Sequence, residues 1–159
     1  MTTVALSLGS NIKPRLHLKK AIKELGERFG QLTQSPIYES MAVGFKGDNF
    51  LNLVILFESH EDPLIIYNWL RAQEKNHGRI RSWDKFTSRP LDIDLIAYGE
   101  QVRTLPPVLP REEIIRDAFV LRPLADVWPM GRHPTAGIHY SDLWAAFPQD
   151  SLKLWPVTL

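Results

Sequence analysis

The strongest constraint on this chain is the order in which its apolar residues switch between strand and helix spacing. Val4-Ala5-Leu6-Ser7-Leu8 is a short apolar strand, closed by Gly9-Ser10-Asn11. Leu16, Ala21-Ile22 and Leu25 then take helical spacing as far as Phe29, with Lys19-Lys20 on the other face. Residues 31–40 return to strand character, with Leu32 and Ile37-Tyr38 as apolar markers. Residues 42–48 hold two glycines and read as a loop, and residues 49–59 are strongly strand-like. Asp62-Pro63 has the form of a helix start, and Leu64, Tyr67, Leu70 and Arg71 carry the period to Asn76. After an aperiodic stretch closed by Pro90, residues 91–98 are again a strand. Strand, helix, strand, strand, helix, strand is a split βαβ order. It predicts an α+β, ferredoxin-like βαββαβ core, a mostly antiparallel sheet with both helices on one face. Eight of the 12 prolines fall between Pro106 and Pro156. Proline breaks helix interiors and central strands. The last third is therefore expected to be loop-rich, with short helices near 112–118 and 141–146 covering the rest.

At 159 residues and 44% hydrophobic, the chain is expected to form one domain spanning 1–159. A net charge of +1 argues against a surface built as a whole to hold DNA or membrane. With no cysteine, thiol nucleophiles, disulfides and cysteine–zinc sites are excluded. No targeting segment is visible, and the apolar runs at 50–57 and 63–70 fall short of the ~18 residues that span a bilayer. A cytoplasmic location is the expected reading.

The most informative segment runs from Ser88 to Ile96. On a strand, Asp92 and Asp94 point one way while Leu91, Ile93 and Leu95 point the other. Two carboxylates this close repel unless a cation lies between them. Mg²⁺ is the simplest candidate, since it takes one or two carboxylates plus substrate phosphates. A solvated strand face, or two acids paired with arginines, are the alternatives. Just upstream, Lys75, Arg79, Arg81, Lys85 and Arg89 stand against the single acid Asp84, interleaved with His77, Trp83 and Phe86. Arginine forks bind phosphate oxygens, and aromatic rings close over ligands. Metal-binding acids beside such arginines are the parts of a phosphoryl-transfer site, with a solvated basic loop as the plainer reading. Gly9-Ser10-Asn11 either presents backbone N–H groups to an anion or is an ordinary turn capped by Ser10 or Asn11. Tyr38, Phe50 and Phe119 either line a pocket with Asn52 or pack in the core, and Asn52, if buried, needs a partner. The five histidines show no metal-ligand spacing and read as surface or loop residues.

Taken in order, these strings resemble the 6-hydroxymethyl-7,8-dihydropterin pyrophosphokinases over roughly residues 4–130. They are Leu8-Gly9-Ser10-Asn11, Tyr38-Glu39-Ser40, Phe50-Leu51-Asn52, Glu74 before Gly78-Arg79, Arg89-Pro90-Leu91-Asp92-Ile93-Asp94-Leu95-Ile96, and Ala118-Phe119-Val120-Leu121-Arg122-Pro123-Leu124. The resemblance implies transfer of the β,γ-pyrophosphoryl group of ATP onto the hydroxymethyl of a reduced pterin in folate biosynthesis, releasing AMP. It implies that Asp92 and Asp94 hold two Mg²⁺ ions and that Arg79 and Arg89 are catalytic. Glu74, Arg81, Arg111 and Arg116 fall to the ATP site. Ser40, Val43, Phe50, Asn52 and Phe119 fall to the pterin pocket, and Trp83 and Phe86 to a lid. It further implies small-molecule pterin and ATP as substrates; a monomer with no nucleic-acid or membrane partner is the expectation beside it. Three departures stand out. Met41-Ala42-Val43 precedes Gly44 where the family often has a Pro-containing run. Arg111 and Glu112 follow Pro110 where the family usually has His and often an aromatic, and Asp117 fills a slot usually held by Arg. They motivate the alternative of a divergent paralogue that binds pterin or nucleotide with altered substrate or no catalysis.

Overall fold

The structure is a computed structural model that describes residues 1–41, 47–78, 90–148 and 153–159. In chain order the elements are β1 (Thr2–Ser10), α1 (Pro14–Phe29), β2 (Thr33–Gln34), β3 (Ile37–Ser40), β4 (Phe50–Ser59), α2 (Pro63–Asn76), β5 (Asp92–Tyr98), α3 (Glu113–Arg116), α4 (Ala118–Val127), α5 (Tyr140–Ala146) and β6 (Leu154–Val157). The strands form one antiparallel sheet in the order β5-β1-β4-β3-β6, with β2 also paired to β4. The two long strands β1 and β4 lie at its centre.

Both faces of this sheet are covered. On one, Leu18, Ala21 and Leu25 of α1 and Ile66 and Leu70 of α2 form a cluster with Val4, Leu6, Leu8, Leu53, Ile55, Ile93 and Leu95. This is the expected two-helix face. On the other, Ala5, Val54, Leu56, Ile96 and Ala97 pack against Ile114, Val120, Leu121, Leu124 and Tyr140 of the C-terminal helices. A register shift between Ala5 and Leu6 in the β1–β5 ladder lets Ile96 and Ala97 both join this second cluster.

The reading of the start of α2 holds. Asp62 caps α2, its Oδ1 accepting from the Leu64 N–H at 2.8 Å, with Pro63 beginning the helix. Trp69 of α2 meets Phe29 of α1 edge to face, with ring centres 5.2 Å apart.

Others need correction. The strand expected over 31–40 is broken at Ser35-Pro36. There the Val54 N–H donates to Ser35 Oγ at 2.8 Å, so a side chain replaces a ladder carbonyl. Neither Ser10 nor Asn11 caps α1. Lys13 holds that position in the left-handed conformation, while Asn11 donates to the Asp48 carbonyl at 3.1 Å. The helix expected at 112–118 is only the four-residue α3. A separate ten-residue helix, α4, follows and runs through buried Pro123. The C-terminal strand β6 was not expected; its Pro156 is tolerated because β6 is an edge strand.

Two histidines are buried rather than superficial. His77, 6% exposed, caps the end of α2. Its Nδ1 lies 2.9 Å from Nδ1 of His17, and its Nε2 lies 2.7 Å from Glu24, which ties α2 to α1. His133 accepts the Ala136 N–H at 3.0 Å, and burial holds its pKa below the ordinary value.

Candidate active site

The site lies on the second face of the sheet, at one end. The alternation read along β5 is realised: Ile93 and Leu95 are buried in the first core, while Asp92 and Asp94 are partly exposed on the opposite side. Strand pairing places residues from four strands in one row. Asp92 is opposite Gly9, Gly9 is opposite Asn52, and Asn52 is opposite Tyr38. Paired residues share a face, so the acid and the amide flank a glycine across roughly 10 Å, two strand spacings. A Cβ at Gly9 would lie 2.8 Å from Asn52 Oδ1. The glycine therefore keeps a notch open between Asp92 and Asn52.

At the Asn52 end, its Nδ2 donates to Ser40 Oγ at 3.1 Å. This is the partner that a buried amide requires. Phe50 pairs with Ser40 in the next row, and Phe119 stands in the first turn of α4, packed against the second core. Tyr38 is core rather than pocket lining, at 4% exposure. Its hydroxyl donates to Asp126, and the Arg122 guanidinium sits 4.7 Å from its ring centre. Burial, with the Asp126 carboxylate, pushes the phenol up to about 12.

At the acidic end, Glu74 reaches the rim of β5 from α2. It is almost completely buried, and its Oε2 accepts the Ile93 N–H at 2.9 Å. One carboxylate oxygen from each of Glu74, Asp92 and Asp94 lies within 4.8 Å of the others. Three hard oxygen donors at that spacing fit Mg²⁺, which prefers carboxylates and keeps room for substrate oxygens. Glu74, placed by the resemblance in the ATP site, thus stands beside Asp92 and Asp94 and also braces the strand that carries them.

Arg111 faces these acids from the segment after β5, which its N–H joins by donating to the Ile96 carbonyl at 3.0 Å. Burial works to lower its pKa. Glu113, at 2.8 Å, together with Asp94 and Asp92, more than reverses this and leaves it raised. Arg116 is held differently. It donates to both oxygens of Asp117, at 3.0 and 3.2 Å, and to Glu112 at 3.0 Å. The negative charge at Asp117 is thus met by its own neighbour.

Sequence reasoning overlooked Arg71. Its Nη2 donates to the Ile93 carbonyl and lies 3.3 Å from Asp94 Oδ1, while its Nε pairs with Glu74 Oε1 at 3.1 Å. The i,i+3 spacing of Arg71 and Glu74 on one helix was the available signal. Arg79, Arg81, Arg89, Val43, Trp83 and Phe86 lie outside the described residues.

Comparison with known proteins identifies the family. Residues 5–129 match the family model for 7,8-dihydro-6-hydroxymethylpterin-pyrophosphokinase. The chain is 34% identical to a 2-amino-4-hydroxy-6-hydroxymethyldihydropteridine pyrophosphokinase of Pseudomonas aeruginosa, covering 96% of each chain. It is 33% identical to one of Aquifex aeolicus, covering 96% of this chain and 95% of that one. Among solved structures it resembles a Plasmodium falciparum HPPK-DHPS triple mutant, with a TM-score of 0.73 at 13% identity. That likeness covers 91% of this chain but only 41% of the larger protein, and it speaks for the fold alone. With the family model spanning most of its length and close relatives matched end to end, the chain belongs to the 7,8-dihydro-6-hydroxymethylpterin-pyrophosphokinase family.

Proposed function

We propose that the row from Asp92 through Gly9 to Asn52 is where this chain carries out its family's reaction, transfer of pyrophosphate from ATP to 6-hydroxymethyl-7,8-dihydropterin. The observation that carries this reading is the row itself: an acidic, cation-binding end and a polar, flat-ligand end share one sheet face across an open glycine notch. The hydroxymethyl oxygen attacks the β-phosphorus, and the bond from that phosphorus to the α,β-bridging oxygen breaks. AMP leaves, and the hydroxyl proton passes to a nearby carboxylate or to water. The products are AMP and the pterin diphosphate.

Each end of the row has a task in this reading. Asn52 and Ser40 hold the pterin by hydrogen bonds, with Phe50, Phe119 and Val43 as its apolar surroundings. Asp92 and Asp94, with Glu74 beside them, would hold two Mg²⁺ ions, which when bound neutralise phosphate charge. Arg111 supplies a fixed positive charge next to the acids, in the position where the family usually has His. Arg79 and Arg89 act on the transferring phosphoryl group, Arg81 assists in ATP binding, and Trp83 and Phe86 close over the bound substrates. Such a transfer depends on positioning and charge neutralisation more than on covalent chemistry. Arg116 contributes indirectly, by neutralising Asp117 at the edge of the nucleotide side. We place the protein in the cytoplasm as a monomer; among the described residues no helix is long and apolar enough to cross a membrane.

The test is AMP formation from Mg-ATP with and without 6-hydroxymethyl-7,8-dihydropterin. Pterin-dependent AMP is the expected result. Pterin binding by calorimetry without AMP would favour the non-catalytic paralogue instead.

A further inference from the structure

Arg71 occupies an unusual position. A divalent cation held by Asp92 and Asp94 needs carboxylate oxygens, and Arg71 already lies 3.3 Å from one of them, Asp94 Oδ1. The same guanidinium pairs with Glu74 and donates to the Ile93 carbonyl. It is packed in place, with its Cζ 4.9 Å from the centre of the Tyr67 ring and only 22% of the side chain exposed. Arg71 is thus a positive charge fixed against the acid cluster by three independent contacts. Only one of these, Asp94, belongs to the metal pair.

We propose that Arg71 is a resident cation of the acid cluster that sets how tightly the cluster binds a divalent ion. With no divalent ion bound, the guanidinium offsets the repulsion between Asp94 and its neighbours. When the ion binds, Asp94 Oδ1 is given up to it, and Arg71 stays anchored on Glu74 and the Ile93 carbonyl. Its charge remains nearby and opposes the incoming ion. The consequence is a site that binds metal weakly alone and more tightly with a polyanionic substrate, whose phosphates offset the charge of both cations. The inference rests on the metal assignment above.

The test uses Mn²⁺ alone, titrated into the full chain without nucleotide and followed by its electron paramagnetic resonance signal. Wild type is compared with Arg71→Gln, Arg71→Lys and Asp94→Asn. Arg71→Gln is expected to bind Mn²⁺ about tenfold more tightly, through loss of a nearby positive charge, and Arg71→Lys close to wild type. Binding seen only in Arg71→Gln also supports the proposal. Equal or weaker binding by Arg71→Gln, with its circular dichroism and melting intact, overturns it and leaves the metal assignment standing. Should Arg71→Gln fail to fold, Arg71→Lys decides, since its charge is kept but not its fork. Wild-type affinity in Arg71→Lys supports charge competition, whereas affinity lost in step with Asp94→Asn makes Arg71 a positioning group and overturns it. No Mn²⁺ uptake by any of these chains removes the metal assignment and this proposal together.

Discussion

The two faces of β5 do opposite work within seven residues. Ile93 and Leu95 are almost wholly buried beneath α1 and α2, whereas Asp92 and Asp94 are partly exposed on the other side. The apolar face gains free energy by leaving water. The acidic face holds like charges together at a cost that only a cation or arginine offsets. One strand thus stabilises the fold through Ile93 and Leu95 and presents the acid pair through Asp92 and Asp94. Because β5 is an edge strand, Arg71 and Glu74 can reach round its rim and satisfy the Ile93 carbonyl and N–H.

Substitutions on the two faces separate these roles. Asp92→Asn or Asp94→Asn is expected to lower pterin-dependent AMP formation by about 10³-fold or more. The melting temperature should stay level or rise, because repulsion is relieved. A melting temperature that fell along with activity would make the acids structural. Leu95→Ala, one residue further on, should destabilise the fold by about 2–5 kcal/mol in urea unfolding. Its kcat per folded molecule should change little, and a large kcat loss with a normal unfolding midpoint would blur the division between the faces.

Gly9→Ala probes the notch between the two ends of the row. Its Cβ would crowd Asn52 Oδ1, so the KM for pterin should rise about tenfold, roughly 1–3 kcal/mol of overpacking. The KM for ATP should move less.

The smallest effect concerns His133, in the turn leading to α5. Burial depresses its folded pKa below the unfolded 6.5, so protonation favours the unfolded chain. Its contribution is therefore present above the unfolded value and lost as the pH falls below it. Between about pH 8 and pH 5 the wild type should lose more stability than His133→Asn, whose amide oxygen still accepts the turn's N–H groups. Equal losses would assign the acid sensitivity elsewhere, and His17, also lowered by burial and by His77, is the next candidate.

Features set by near neighbours were legible in the chain. The capped start of α2 at Asp62-Pro63, the opposed faces of β5 and the βαββαβ order each rest on spacings of one to four residues, which helix and strand periodicity translate directly. The shared face of Asp92 and Asp94 was legible because it sits on such a spacing. Contacts between distant residues were not legible. The partner of Asn52, the burial of His77 against His17 and Glu24, and the pairing of β6 with β3 join residues brought together only by sheet register and helix packing. Asp117 shows the same limit at short range. It fills a slot the family usually gives to Arg, and its carboxylate is met by Arg116, one residue earlier, which turns onto it once α3 ends there.

The sequence by itself determined the alternation of elements, the apolar set that builds both cores and the acid pair on β5, because these depend on periodicity along one strand or helix. Only the tertiary structure decided that Asp92, Gly9 and Asn52 form one row and that Arg71 and Glu74 clasp the strand edge. Those placements follow from which strands pair, in what register and with what helix against the rim, and that is settled when the whole chain buries its apolar surface together.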